Sequence, residues 1–255
     1  MRLSVMKMKR QNTRIGYKFV EITKKQYIWG LLIVPLYVGI LRYFILEPLL
    51  NRVLRDDPNI QFWAGPLKNS IILVYMIFLF RDNISSFWED FISSGLRDDL
   101  KWFVKSIYYF LVGRVIYALL YVQIKLIMAN RFNVLTSNVP QNEKFLDGIA
   151  ARFPVIAIIQ VIILAPILEE LIFRYLIYHI LRRINKGCAI LLTSLTFSVL
   201  HIAAEIQNGQ LLAMLYFGLS YMAIAVVLAI VYEKRRNIIF CVILHMVNNV
   251  LAIAV

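Results

Sequence analysis

The sequence predicts an all-α integral membrane protein, a polytopic helical bundle of about seven transmembrane helices within a range of six to eight. Three observations carry this expectation. Hydrophobic residues fill 60% of the 255 positions and charged residues only 17%, and the mean hydropathy of +0.70 is well above that of an ordinary soluble domain. Apolar stretches near the ~20 residues that cross a ~30 Å hydrocarbon core recur along the chain. The Lys and Arg residues behind the net charge of +13 fall between those stretches rather than on one amphipathic patch, which favours the lipid bilayer as partner and argues against nucleic acid.

The stretches lie at 27–50, 61–80, 102–128, 153–181, 188–204, 211–232 and 237–255. A basic tail, 1–26, precedes the first, and its lack of a short apolar core with a small-residue cleavage site makes that first stretch a retained anchor. The second is interrupted by Gly65, Pro66 and Lys68, and the third carries Lys105, Arg114 and Lys125, of which the outer two can snorkel to the interface while Arg114 requires a partner or water. Segment 83–98 reads as an amphipathic helix on the membrane surface. Pro166 is expected to kink the fourth stretch, which is otherwise long for a straight crossing. The chain thus divides into the tail, N-terminal helices over 27–149, and a C-terminal core over 150–255 that holds the polar residues of interest.

If the N-terminus is cytoplasmic, that side of the spans holds 17 Lys and Arg and the opposite side 6, the asymmetry of the positive-inside rule. Cys188 and Cys241 form neither a disulfide framework nor a metal-binding pattern and are read as free thiols.

The fourth stretch contains Glu169, Glu170 and Arg174 within VIILAPILEELIFRYLIYHIL. Each charge near the centre of a span costs roughly 2.5–3.5 kcal/mol, so three together demand a reason. Residues four apart on a helix lie about 40° apart in projection. Glu170 and Arg174 therefore share a face and can pair, which leaves Glu169 without an intrahelical cation. Phe197 and His201, and likewise His245 and Asn249, are also spaced by four. At 1.5 Å per residue, Glu169 and His201 fall about 20 Å, and His245 about 12 Å, from the adjacent cytoplasmic ends of their spans. The three can meet if their helices are neighbours.

A carboxylate, two imidazoles and an amide in one buried site suit hydrolysis: Glu169 and a histidine take a proton from water, and a histidine with an amide holds the oxyanion. Glu169, His201 and His245 would equally serve as ligands of a divalent metal such as zinc with an open fourth position, and the sequence leaves both chemistries open. As alternatives the same residues would be an ion-pair cluster between helices, or a relay in a proton-coupled transporter, although neither inverted repeats nor paired broken helices are visible.

EELIFR, FSVLH and HMVNN, in that order, resemble the EExxxR, FxxxH and HxxxN motifs of the CAAX-protease and bacteriocin-processing family of intramembrane endopeptidases, also called the Abi family. The resemblance covers about residues 150–255. It implies a membrane endopeptidase, of glutamate or metallo type, that cleaves a membrane-associated or lipidated peptide or protein. It also implies that Glu169 and His201 activate water, that His245 and Asn249 form the oxyanion site, and that Glu170, Arg174 and Phe197 support them. Compact length resembles the bacterial branch, which implies the bacterial cell membrane and links to peptide maturation and bacteriocin self-immunity. A non-catalytic immunity or scaffold protein of the same fold is the alternative within the family.

Overall fold

The structure is a computed structural model that describes residues 19–54, 60–93, 96–132, 148–209 and 211–253. Every long element is a helix: α1 (Lys24–Leu54), α2 (Ile60–Leu79), α3 (Arg81–Ser93), α4 (Leu96–Phe132), α5 (Pro154–Arg182), α6 (Lys186–His201), the short α7 (Ala203–Gln207), α8 (Leu211–Arg235) and α9 (Ile238–Ile253). The chain is an all-α membrane protein. Among the described residues, α1, α4, α5 and the part of α8 from Phe217 are long and apolar enough to cross a membrane. A fifth candidate is the pair of Trp63–Leu79 with α3, bent by 78°, and α6 and α9 are shorter apolar helices.

The helix ends follow local chemistry. Thr23 caps α1 in a capping box with Gln26, satisfying backbone N–H groups that have no intrahelical partner. Gln26 also donates to the Leu79 carbonyl at 3.0 Å and to Asn83 at 2.7 Å, and Asn83 donates to the Glu21 carbonyl at 2.8 Å. The start of α1 is thereby tied to the elbow between α2 and α3. Within the expected N-terminal tail, Phe19 packs against Tyr178, His179 and Tyr232 and is not free, while residues 1–18 lie outside the described residues.

The surface segment expected at 83–98 is shorter, ending at Ser93, and α4 begins at Leu96. Asp98 and Asp99 stand in the first turn of α4, where negative charge complements the helix N-terminus. Phe87 of α3 is buried while Trp88 and Ile92 are exposed, so one side of the helix packs on the bundle and the other faces outward. Arg235, 1% exposed, ties it to the start of α4 through Asp90 of α3 at 2.8 Å and Asp99 of α4 at 3.5 Å. Asn237 adds bonds to the Phe87 carbonyl at 2.9 Å and to Asp90 at 2.6 Å. Arg114 lies exposed on α4 with its guanidinium 5.8 Å from the ring of Phe110.

The centre is α5, whose residues from Leu168 to Leu176 are all buried. It contacts α1, α2, α6, α8 and α9, while α8 also packs on α4 and α6. Two close approaches depend on glycine. A Cβ on Gly30 would come within 2.9 Å of Leu176, so its absence lets α1 lie against α5. A Cβ on Gly113 would collide with Val227, so α4 meets α8 through a small residue, as membrane helices commonly do.

Gly113→Leu should lower the melting temperature in detergent, with a cost of about 1–3 kcal/mol from overpacking. Combining Gly113→Ala with Val227→Ala should be tolerated far better. Equal melting temperatures for Gly113→Leu and wild type would contradict the close α4–α8 contact.

Candidate active site

The polar centre is built first by an unusual run of α5. Its turns widen to π-helical form over Ile159–Leu164 and again over Leu171–Ile177, on either side of the α-helical Ala165–Glu170 that carries both glutamates. Such widenings often accompany functional sites. The Ala165 N–H bonds to the Gln160 carbonyl, five residues back. The same register would assign the next N–H to Val161, but residue 166 is proline and has none. The side chain of Asn249 supplies the missing donor, its amide nitrogen 2.8 Å from the Val161 carbonyl oxygen. Where a kink was expected at Pro166, the backbone changes register locally and α5 continues through it as one span.

Glu170 and Arg174 form the pair anticipated from their spacing, with Nε 3.1 Å from Oε2 and side chains 0% and 1% exposed. The guanidinium also donates to the Ala225 carbonyl of α8 at 3.3 Å and lies 4.9 Å from the ring of Phe197. The other oxygen of Glu170 accepts from His245 Nδ1 at 2.8 Å. One buried carboxylate therefore joins a cation on its own helix to an imidazole on α9, the pairing that makes a buried charge tolerable.

His201 is oriented by its own helix, with Nδ1 2.8 Å from the Phe197 carbonyl. A carbonyl only accepts, so Nδ1 carries the proton. Phe197 stacks on His201 at 4.2 Å between ring centroids and meets His245 edge-on at 5.8 Å, filling the space between the two imidazoles. Tyr221 of α8 lies on His201 at 4.6 Å.

Glu169 is where these groups converge. Its Oε2 is 3.9 Å from His201 Nε2 and 3.8 Å from His245 Nε2, too far for a direct hydrogen bond. Its Oε1 accepts from the hydroxyl of Tyr37, on α1, at 3.1 Å. Lys68 of α2 in turn donates to the Tyr37 carbonyl at 2.8 Å, with its ammonium 4.6 Å from the Tyr37 ring.

The structure thus brings Glu169, Glu170, Arg174, Phe197, His201 and His245 into one cluster, while Asn249 of α9 bonds to α5 at Val161, about two turns before Glu169. Sequence reasoning missed Tyr37, an unremarkable tyrosine in an apolar stretch. Lys68 had left a signal, a charge within an apolar run, but no partner was legible. Among the described residues no group of three or more His, Cys, Asp or Glu side chains is drawn together to hold a metal ion.

Residues 151–251 match the family model described as type II CAAX prenyl endopeptidase, Rce1-like. No similar curated protein and no similar solved structure was found. The matched region contains all three motifs, whereas Tyr37 and Lys68 lie outside it. Over residues 151–251 this helical membrane protein is therefore similar to the Rce1-like type II CAAX prenyl endopeptidases.

Proposed function

We propose that the protein is an intramembrane endopeptidase that hydrolyses a membrane-associated or lipidated peptide or protein with a water activated by Glu169 and His201. One observation carries this reading. His201 and His245 each commit Nδ1–H to an oxygen, so in their neutral forms both Nε2 atoms present lone pairs, and both face the same carboxylate oxygen of Glu169. Three acceptors turned toward one another suit a donor between them, such as the O–H groups of a water or an added proton on an imidazole. Peptide hydrolysis uses both.

The water oxygen attacks the peptide carbonyl carbon as Glu169 Oε2, oriented against His201, takes its proton. The carbonyl electron pair moves onto oxygen. Protonated His245 donates from Nε2 to that oxyanion while its Nδ1–H stays on Glu170, and in this reading the second N–H of Asn249, not used by Val161, donates to it as well. Collapse breaks the C–N bond, and the proton held by Glu169 passes to the leaving amine. Glu170 and Arg174 hold His245 and neutralise each other. A burial of only 8% exposure for Glu169 and 4% for His245 keeps bulk water away from these charges and strengthens each interaction. The basic cytoplasmic tail and the bacterial cell membrane complete the reading from charge asymmetry and family resemblance.

A pool of lipidated and unlipidated peptides offered to protein in liposomes, with products read by mass spectrometry, tests the activity. Glu169→Gln and His201→Ala should remain folded and lose about 10²–10⁴-fold in rate. Wild-type rates in both, with inserted protein verified, would defeat the assignment.

Asn249→Ala should cost stability by about 1–3 kcal/mol, because the Val161 carbonyl then loses its donor. Adding Pro166→Ala restores a backbone N–H there. If Asn249 also serves the oxyanion, the double variant should recover its melting temperature but stay slower than Pro166→Ala alone; recovery of rate as well would make Asn249 purely structural.

A further inference from the structure

We propose that Tyr37 is a positioning residue for Glu169, that Lys68 fixes it, and that the N-terminal helices thereby set the orientation of the water-activating carboxylate; the inference rests on the hydrolytic reading above. Glu169 has two oxygens, and only Oε2 faces the two Nε2 atoms. Oε1 is held from the opposite element by the Tyr37 hydroxyl. A carboxylate without that bond can turn about its terminal torsion, which is broad and two-fold, and so lose its aim at the water. A hydroxyl donating to an ionised acceptor makes one of the stronger kinds of hydrogen bond and partly replaces the water that burial removes.

Tyr37 is itself held in several ways. Its carbonyl receives Lys68 Nζ, the same ammonium lies against its ring, and the ring meets Phe173 edge-on at 6.4 Å between centroids. Gly39 breaks the regular helical path of α1 two residues later, and Gly30, about two turns earlier, allows α1 to approach α5. Lys68 is therefore more than an interruption of an apolar stretch. Its ammonium joins α2 to the part of α1 that touches the reacting carboxylate, a contact made entirely by residues outside 151–251.

The test uses full-length protein in liposomes and the best-cleaved peptide from the pool above. Tyr37→Phe should lower kcat by about 10- to 100-fold with KM within about two-fold, the pattern for a group that aims a base rather than binding substrate. Lys68→Met should fall in the same direction, and Lys68→Arg, which keeps the cation, should lie closer to wild type. In a Glu169→Gln background, Tyr37→Phe should produce no further loss, because the group it positions is already disabled. A Tyr37→Phe enzyme with wild-type kcat, or one that slows Glu169→Gln by the same factor as wild type, overturns the proposal while leaving a Glu169-dependent peptidase intact. If wild type cleaves no peptide, the hydrolytic reading has failed, and melting temperatures decide the contact by themselves. Shifts of Tyr37→Phe and Glu169→Gln that do not add support it, and strictly additive shifts overturn it.

Discussion

The buried pair of Glu170 and Arg174 is the constraint around which the centre of this molecule is organised. Neither charge is tolerable alone inside a helix bundle, and four-residue spacing on α5 lets each neutralise the other without help from a second helix. The pair then has capacity left over. Glu170 receives His245 of α9, and Arg174 reaches the Ala225 carbonyl of α8 and lies against Phe197 of α6. Three later helices are thus drawn to one point on α5, and the two histidines reach Glu169 as a consequence.

Backbone irregularity does comparable work. A regular α-helix through Pro166 would lose a hydrogen bond inside the bilayer, where no bulk water replaces it. The five-residue register before the proline moves the loss to the Val161 carbonyl, and Asn249 meets it. The last motif of the sequence and a proline 83 positions earlier are therefore halves of one contact. The same bond brings α9 to the helix that carries Glu169, so polar satisfaction of the backbone and assembly of the site coincide.

The centre also takes groups from the first two helices. Residues 151–251 hold the carboxylates, the imidazoles and the amide, yet one oxygen of Glu169 bonds to Tyr37 and the next cation outward is Lys68. The elbow that ties Gln26 to Leu79 and Asn83 keeps α1, α2 and α3 in fixed relation. The N-terminal half is in this sense part of the site's framework.

Hydropathy alone located the long helices to within a few residues, as at 153–181 against the observed Pro154–Arg182, because the cost of exposing polar backbone and charge to hydrocarbon acts on each segment separately. Intrahelical spacing likewise made the Glu170–Arg174 pair and the shared stripe of Phe197 and His201 legible, since both are consequences of the 3.6-residue turn. The end of α3 at Ser93 was read five residues too late, although Ser94 and Gly95 mark a break in the sequence just beyond it. Tyr37 and Lys68 were hidden for a different reason: their roles depend on how closely α1 and α2 approach α5, and that is decided by packing around Gly30 and the bend of α1 at Gly39. So the sequence by itself determined the membrane class, the approximate places of the helices and the three motifs, while only the tertiary structure decided which oxygen of Glu169 faces the histidines, what holds the other, and what replaces the donor lost at Pro166, because each of these is a contact between helices far apart in the chain.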